Sequence, residues 1–187
     1  MDILPYTTIP DYPSTVSAGT VLARLIDGLA FRYRWATEGL LPDEMDFRPG
    51  PESMNLGQLL SHILGLISWV DQIFGGEGRV VTEGRVTTEV RVTTEVRGVA
   101  EGLSLAELRA QTLRRCVVLR ARLVQMSEAE IAACAGPDFE FWNMINGPIA
   151  DALTHIGQVN AWRRLAGNPT PKANVFRGRP PETREEK

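Results

Sequence analysis

The sequence predicts an all-α fold, a bundle of four long amphipathic helices in a single domain. Apolar residues recur at spacings of three and four in four separate segments, which is typical of helices that bury one face. Each segment is also bounded by capping or breaking residues. Only one segment of the 187-residue chain has a clearly different pattern. Four long amphipathic helices in a chain of this length are expected to pack around one core.

The first two helices have clear boundary signals. We expect the first to begin after Ser14 or Ser17, either of which can cap it, and to end just before Pro42. The apolar stripe of the second covers residues 55–74, and Gly75 marks its end. A turn-rich connection separates the two.

The last two helices are equally well marked. A capping box formed by Ser104 and Glu107 opens a third helix, which the apolar pattern extends over residues 104–127. The fourth helix is expected over residues 147–166, with Pro148 at its first position. We therefore predict one domain over the whole chain, with a Pro-rich lead-in that packs on its body.

The segment between the second and third helices breaks the helical pattern. An insertion at about residues 75–102 contains a hexad repeat over residues 79–96, in which Arg-Val-Val-Thr-Glu-Gly is followed by two copies of Arg-Val-Thr-Thr-Glu-Val. Val and Thr favour strands. The repeat is either a lengthened loop or a β-ribbon arm that pairs with itself or with a partner. An extended tail, residues 168–187, ends the chain.

Composition excludes several classes of protein. Two Cys and two His cannot form a zinc ribbon, and a net charge of −3 argues against a nucleic-acid partner. The N-terminus lacks the features of a signal peptide, and no apolar run is long enough to cross a membrane. We therefore expect a cytoplasmic protein without a membrane partner, in which Cys116 and Cys134 are free thiols.

The two histidines and one aspartate form the best candidate site. His62 lies on the apolar stripe of the second helix, while Asp151 and His155 are one turn apart on the fourth. Each can be a structural residue, since core histidines and first-turn acids are common. If all three are buried together, however, a divalent cation would satisfy them, and three ligands would leave a coordination position open.

The residues around this site resemble a known family. Asp151-Ala-Leu-Thr-His155-Ile-Gly157-Gln158 is similar to the last-helix motif of the DinB/YfiT-like metalloprotein superfamily, typically His-x-x-x-His, one residue and Gly-Gln. Ser61-His62-Ile-Leu resembles the other ligand helix of that family, and the connection at 41–54 leading into Leu56-Gly-Gln-Leu-Leu is also similar. The resemblance covers most of residues 15–170 but not the hexad repeat.

This resemblance implies an up-down-down-up four-helix bundle, often a homodimer, with a three-ligand site for a divalent ion such as Ni, Zn, Fe or Mn. His62 and His155 match two ligands, whereas Asp151 stands where the family usually has a histidine. Two alternatives follow. Either two histidines and a carboxylate bind a harder metal, since Asp is a competent ligand, or the site has decayed and binds metal weakly.

The resemblance also implies a function. Relatives include transferases and isomerases of low-molecular-weight thiols, so we expect a metal-dependent transferase or hydrolase of a small-molecule substrate, in which the ion activates a thiol or water. The alternative is a non-catalytic, stress-related bundle with a polar core. Gln158 is placed to orient a ligand or substrate, and the pair Arg163-Arg164 is a candidate for binding an anionic thiol. Residues that can line the entrance are Trp142, Asn143 and Asn146.

Overall fold

The computed structural model describes residues 4–75, 102–134 and 140–182, together with the backbone of 79–82 and 85–88. Within this part of the chain the fold is mostly helical, as predicted. The helices are α1 (Ala18–Ala36), α2 (Leu56–Gly75), α3 (Leu105–Leu123), α4 (Glu128–Ala132), α5 (Phe141–Met144) and α6 (Ala150–Leu165). A 3-10 helix, Pro42–Asp46, lies before α2, and a π-helical turn, Ile145–Ile149, joins α5 to α6.

Helix α1 begins after Ser17, one of the two predicted caps, and ends before the position that the sequence predicted. The backbone N–H of Thr20 donates to Ser17 Oγ, and that of Ser17 donates to Thr20 Oγ1, so Ser17 is the cap. The prediction that the helix continues to Pro42 is wrong, because α1 ends at Ala36. Gly39 has a φ of +67°, a left-handed conformation that turns the chain away from the helix axis.

The predicted third helix ends earlier than expected and is followed by a separate short helix that the sequence pattern did not predict. Its capping box at Ser104 is confirmed, but α3 ends at Leu123. Ser127 Oγ accepts a hydrogen bond from the backbone N–H of Glu130, and the Glu130 carboxylate in turn accepts one from the Ser127 backbone. This second capping box starts the short helix α4 at Glu128, directly after the position where the third helix was expected to end.

The predicted fourth helix has a more complex beginning. The chain is already helical from Phe141, and the π-helical turn contains Gly147 with non-helical dihedral angles of φ −87° and ψ −107°. Pro148 has no N–H to donate to the preceding turn, which accounts for the kink. As a result, α6 starts at Ala150, immediately before Asp151.

The four long helices pack around one core, and α1 and α2 each contact both α3 and α6. The start of α1 meets the end of α3, where Gly19 approaches the backbone of Leu123. At the other end of α1, Arg109 Nε donates to Thr37 Oγ1 over 3.1 Å. Helices α1 and α3 are therefore antiparallel. Fully buried side chains of the core include Ile26, Leu29, Leu60, Ile63, Ile67, Leu113, Leu119 and Val159.

Polar contacts define the directions of the other helix pairs. Arg163, near the end of α6, donates to the Ala36 carbonyl at the end of α1, so these two helices are parallel. Asp71, near the end of α2, accepts hydrogen bonds from Arg115 and Arg122 in the second half of α3, so α2 and α3 are parallel as well. The core therefore contains two parallel pairs, α1 with α6 and α2 with α3, and the two pairs run in opposite directions.

The Gly19 contact leads to a prediction about stability. A Cβ atom at this position would collide with the carbonyl oxygen of Leu123, and backbone cannot move aside cheaply. We expect Gly19→Ala to lower the free energy of unfolding by about 1–3 kcal/mol, as overpacking does. Gly28→Ala is the matched control, because a Cβ there meets nothing within 4 Å and alanine should add about 0.5–1 kcal/mol. Urea denaturation of the three proteins measures both effects, and equal stabilities would contradict this interpretation.

The described parts of the lead-in, the tail and the hexad repeat also form defined contacts. The lead-in packs on the body as predicted, since Tyr6 is buried and the backbone N–H of Ile9 donates to the Gly178 carbonyl of the tail. Strands β1 (Arg79–Thr82) and β2 (Arg85–Thr88) form an antiparallel ribbon, so the first four residues of one hexad pair with the first four of the next. The third hexad lies outside the described residues. No helix in the described ranges is long and apolar enough to cross a membrane.

Candidate metal centre

The three candidate ligands come together where α2 packs against the start of α6. His62 lies in the second turn of α2, and Asp151 and His155 occupy successive turns of α6. Helix α6 starts at Ala150, directly after the kink at Pro148, and the Asp151 carboxylate faces Nε2 of both imidazole rings. The ring centroids of His62 and His155 are 4.8 Å apart, with an interplanar angle of 79°.

The distances between these side chains fit a divalent cation. Nε2 of His62 is 3.4 Å from Asp151 Oδ2, and Nε2 of His155 is 3.2 Å from Asp151 Oδ1. At metal–ligand distances of about 2.1 Å, neighbouring ligand atoms of a tetrahedral or octahedral ion lie about 3.0–3.4 Å apart. One ligand atom from each residue lies within 4.8 Å of the others. The group can therefore hold a metal ion.

Gln158 contacts one of the ligands directly. Its Oε1 lies 2.8 Å from Nδ1 of His155. An amide oxygen can only accept, so this contact assigns the ring proton to Nδ1 and leaves the lone pair of Nε2 facing Asp151. Metal-ligating histidines are held by such a partner in most sites. Gln158 was predicted to orient a ligand or a substrate, and the structure has it holding the imidazole of His155.

The site is more open than the sequence suggested. The side chains of His62, Asp151 and His155 are 38%, 45% and 16% exposed, respectively. The interpretation of both histidines as core residues is therefore wrong for His62, and Asp151 does not need a cation to offset burial. The reason is that α2 and α6 meet at the edge of the core, where two clefts reach them. This openness gives a small molecule access to the ligands.

One cleft has a volume of about 360 Å³ and lies on the α6 side of the site. Asp151 lines it, together with Asn146 from the π-helical turn, so this predicted entrance residue is near the site. Trp142 is 64% exposed and packs its ring against Phe141. Asn143 Oδ1 accepts a hydrogen bond from the Glu140 backbone and so caps α5. Among the described residues, neither Trp142 nor Asn143 is seen in contact with His62, Asp151 or His155.

The second cleft, of about 870 Å³, lies on the α2 side and was missed by the sequence interpretation. His62 lines its wall, and Leu66 and Trp69 line both clefts. A signal for it was present in α2, where small and polar residues interrupt the apolar stripe at helical spacing. The α2 residues that line the cleft are Gly57, Gln58, Ser61, His62, Gly65, Leu66 and Trp69.

Two other candidates for chemistry have structural roles. Arg163 is only 1% exposed, and its guanidinium donates to the carbonyls of Ala36 and Glu38 over 2.9 and 2.7 Å, so it is not open to an anionic thiol. Cys116 and Cys134 are both buried and neither forms a disulfide, and Cys134 Sγ donates to the Glu130 carbonyl over 3.2 Å. Burial raises the pKa of the Cys116 thiol well above its ordinary value, which keeps it protonated and unreactive.

Comparison of the chain with protein-family models, with curated proteins and with solved structures gives no match.

Proposed function

We propose that the protein binds a divalent metal ion through His62, Asp151 and His155 and uses it in a transferase or hydrolase reaction on a small molecule. The observation that carries the proposal is the convergence of both histidines of the chain on one carboxylate, at spacings that suit a metal ion. A low-molecular-weight thiol is a candidate substrate or cosubstrate, from the resemblance to DinB-like proteins.

Helix directions support a DinB-like four-helix bundle. Helix α1 is antiparallel to α3 and parallel to α6, while α2 is parallel to α3. These directions correspond to an up-down-down-up order. The long segment between α2 and α3, which contains the ribbon, provides the crossover that two consecutive parallel helices require. A homodimer and a cytoplasmic location belong to the same proposal.

The residues of the site have separate tasks in this proposal. His62 and His155 would bind the ion through Nε2, and Asp151 through its carboxylate, while Gln158 holds His155 in the required tautomer. A bound ion would supply Lewis-acid activation of a nucleophile at neutral pH. Two nitrogens and a carboxylate suit Fe or Mn as well as Zn or Ni, and leave positions open for substrate.

One observation favours the non-catalytic alternative. Nε2 of His62 lies 3.4 Å from Asp151 Oδ2, and Nδ1 of His155 lies 2.8 Å from Gln158 Oε1, so both imidazoles have a polar partner without an ion. In that case the trio would stabilise the contact between α2 and α6 and nothing more. Metal content distinguishes the two functions.

The proposed function is tested by metal analysis of the protein purified without a histidine tag. We expect about one equivalent of a divalent metal per chain, measured by plasma mass spectrometry, because three ligands at these spacings bind metals tightly. Removal of the metal with a chelator should then abolish turnover of small thiol or ester substrates, and adding it back should restore turnover. Protein that carries no metal, and takes up none when Zn, Ni, Fe or Mn is offered, would contradict the proposed function and support the non-catalytic alternative.

A further inference from the structure

The larger cleft beside His62 has a mostly apolar wall. Leu66 and Trp69 follow His62 along α2, at spacings of one and two helical turns. The connection before α2 and the start of α3 contribute the rest of the apolar surface. These apolar residues are Met45, Met54, Leu66, Trp69, Leu103 and Leu108. A ligand in this cleft would therefore gain by removing apolar surface from water.

The charged residues of the cleft are at its rim. Asp46, Arg48 and Glu52 all belong to the connection before α2 and are exposed. The guanidinium of Arg48 donates to the Ser53 carbonyl over 3.0 Å. Two carboxylates against one guanidinium give the rim a small negative charge. This arrangement does not favour a ligand that carries a negative charge.

We propose that the cleft is the binding site for an uncharged, largely apolar small molecule, such as an aromatic compound, with a donor group that points to His62. Its volume lies within the range of small-molecule pockets, about 300–1,000 Å³. Because His62 is both a wall residue and a candidate metal ligand, a molecule bound here presents its polar end to the ion. The chemistry at that end rests on the proposed function, whereas binding in the cleft does not.

A pair of matched fluorescent dyes tests the proposal on the full chain. N-phenylnaphthylamine is neutral, and anilinonaphthalene sulfonate has a similar aromatic frame with an added negative charge. We expect the neutral dye to bind one molecule per chain with enhanced fluorescence, and to bind about tenfold more tightly than the sulfonate. If the sulfonated dye binds as tightly or more tightly, the assignment of an uncharged ligand is overturned.

Substitutions locate the dye. Met54 lines the cleft and is 44% exposed, so Met54→Glu should fold normally and weaken the neutral dye by about tenfold or more, since it puts a charge against an apolar ligand. Val118→Glu is the matched control, because Val118 is a 52% exposed apolar residue on α3 that does not line the cleft. Equal dye affinity in wild type and Met54→Glu would overturn the proposal.

The dye and the metal are measured on the same samples. Protein that binds the neutral dye but no metal would count against the proposed metal function and leave the cleft assignment intact. Protein that binds one equivalent of metal but no dye would count against the cleft assignment alone. Metal content and dye affinity therefore separate the failure of one proposal from the failure of the other.

Discussion

His155→Ala is expected to lower the affinity of the protein for divalent metal by at least about 100-fold, since it removes one of only three ligands. Of the three, His155 is the most buried and the one with a fixed tautomer, because Gln158 lies 2.8 Å from its Nδ1. Gln158→Ala should have a smaller effect, about 10-fold, because it leaves the ligand in place and removes only its support. Isothermal titration with Zn or Ni measures both.

The control for this experiment is Thr154→Ala. Thr154 is exposed, precedes His155 and donates its hydroxyl to the Ala150 carbonyl of its own helix rather than to a candidate ligand, so its loss should leave metal affinity unchanged. Thermal unfolding by circular dichroism shows that each variant is folded. If folded His155→Ala binds metal with wild-type affinity and stoichiometry, the ligand set is wrong and the metal function fails with it.

The members of the site could be predicted because the chain has so few residues suited to it. Two histidines, one of them an i, i+4 partner of an aspartate, leave a single combination on facing helices. The openness of the site could not be predicted in the same way. It depends on the connection before α2 and on the kink at Pro148, and both place backbone at the edge of the core through contacts that helical periodicity does not encode.

The helix boundaries also include some that local sequence predicts and one that it does not. Local signals placed the cap at Ser104 correctly, because a capping box involves residues three apart in sequence, and they gave Ser17 as one of two candidates. The early end of α1 involves a residue more than a hundred positions away. Arg163 donates to the carbonyls of Ala36 and Glu38, which would otherwise lack partners at the end of the helix. In the sequence, this arginine looked like a candidate for binding an anionic thiol.

Substitution of Arg163 measures how much its hydrogen bonds to the end of α1 stabilise the fold. Arg163→Ala is expected to lower the free energy of unfolding by about 2–4 kcal/mol, because it leaves buried carbonyls without a donor and opens a cavity. Arg164→Ala, at the exposed neighbouring position, should change it by less than about 0.5 kcal/mol. Arg163→Met keeps most of the volume without the donors, so a similar loss in this variant would assign the effect to the hydrogen bonds.

Substitution of Arg163 should also weaken ligand binding in the larger cleft. Arg163 and Asn168 together hold the start of the connection before α2, since Asn168 Nδ2 donates to the Gly39 carbonyl and to Glu44 over 2.9 and 2.7 Å. That connection supplies Met45 and Met54 to the cleft wall. We therefore expect Arg163→Met to weaken binding of the neutral dye by about threefold to tenfold under conditions where the protein is still folded. Unchanged dye affinity in a destabilised Arg163→Met would show that the connection keeps its position without this arginine.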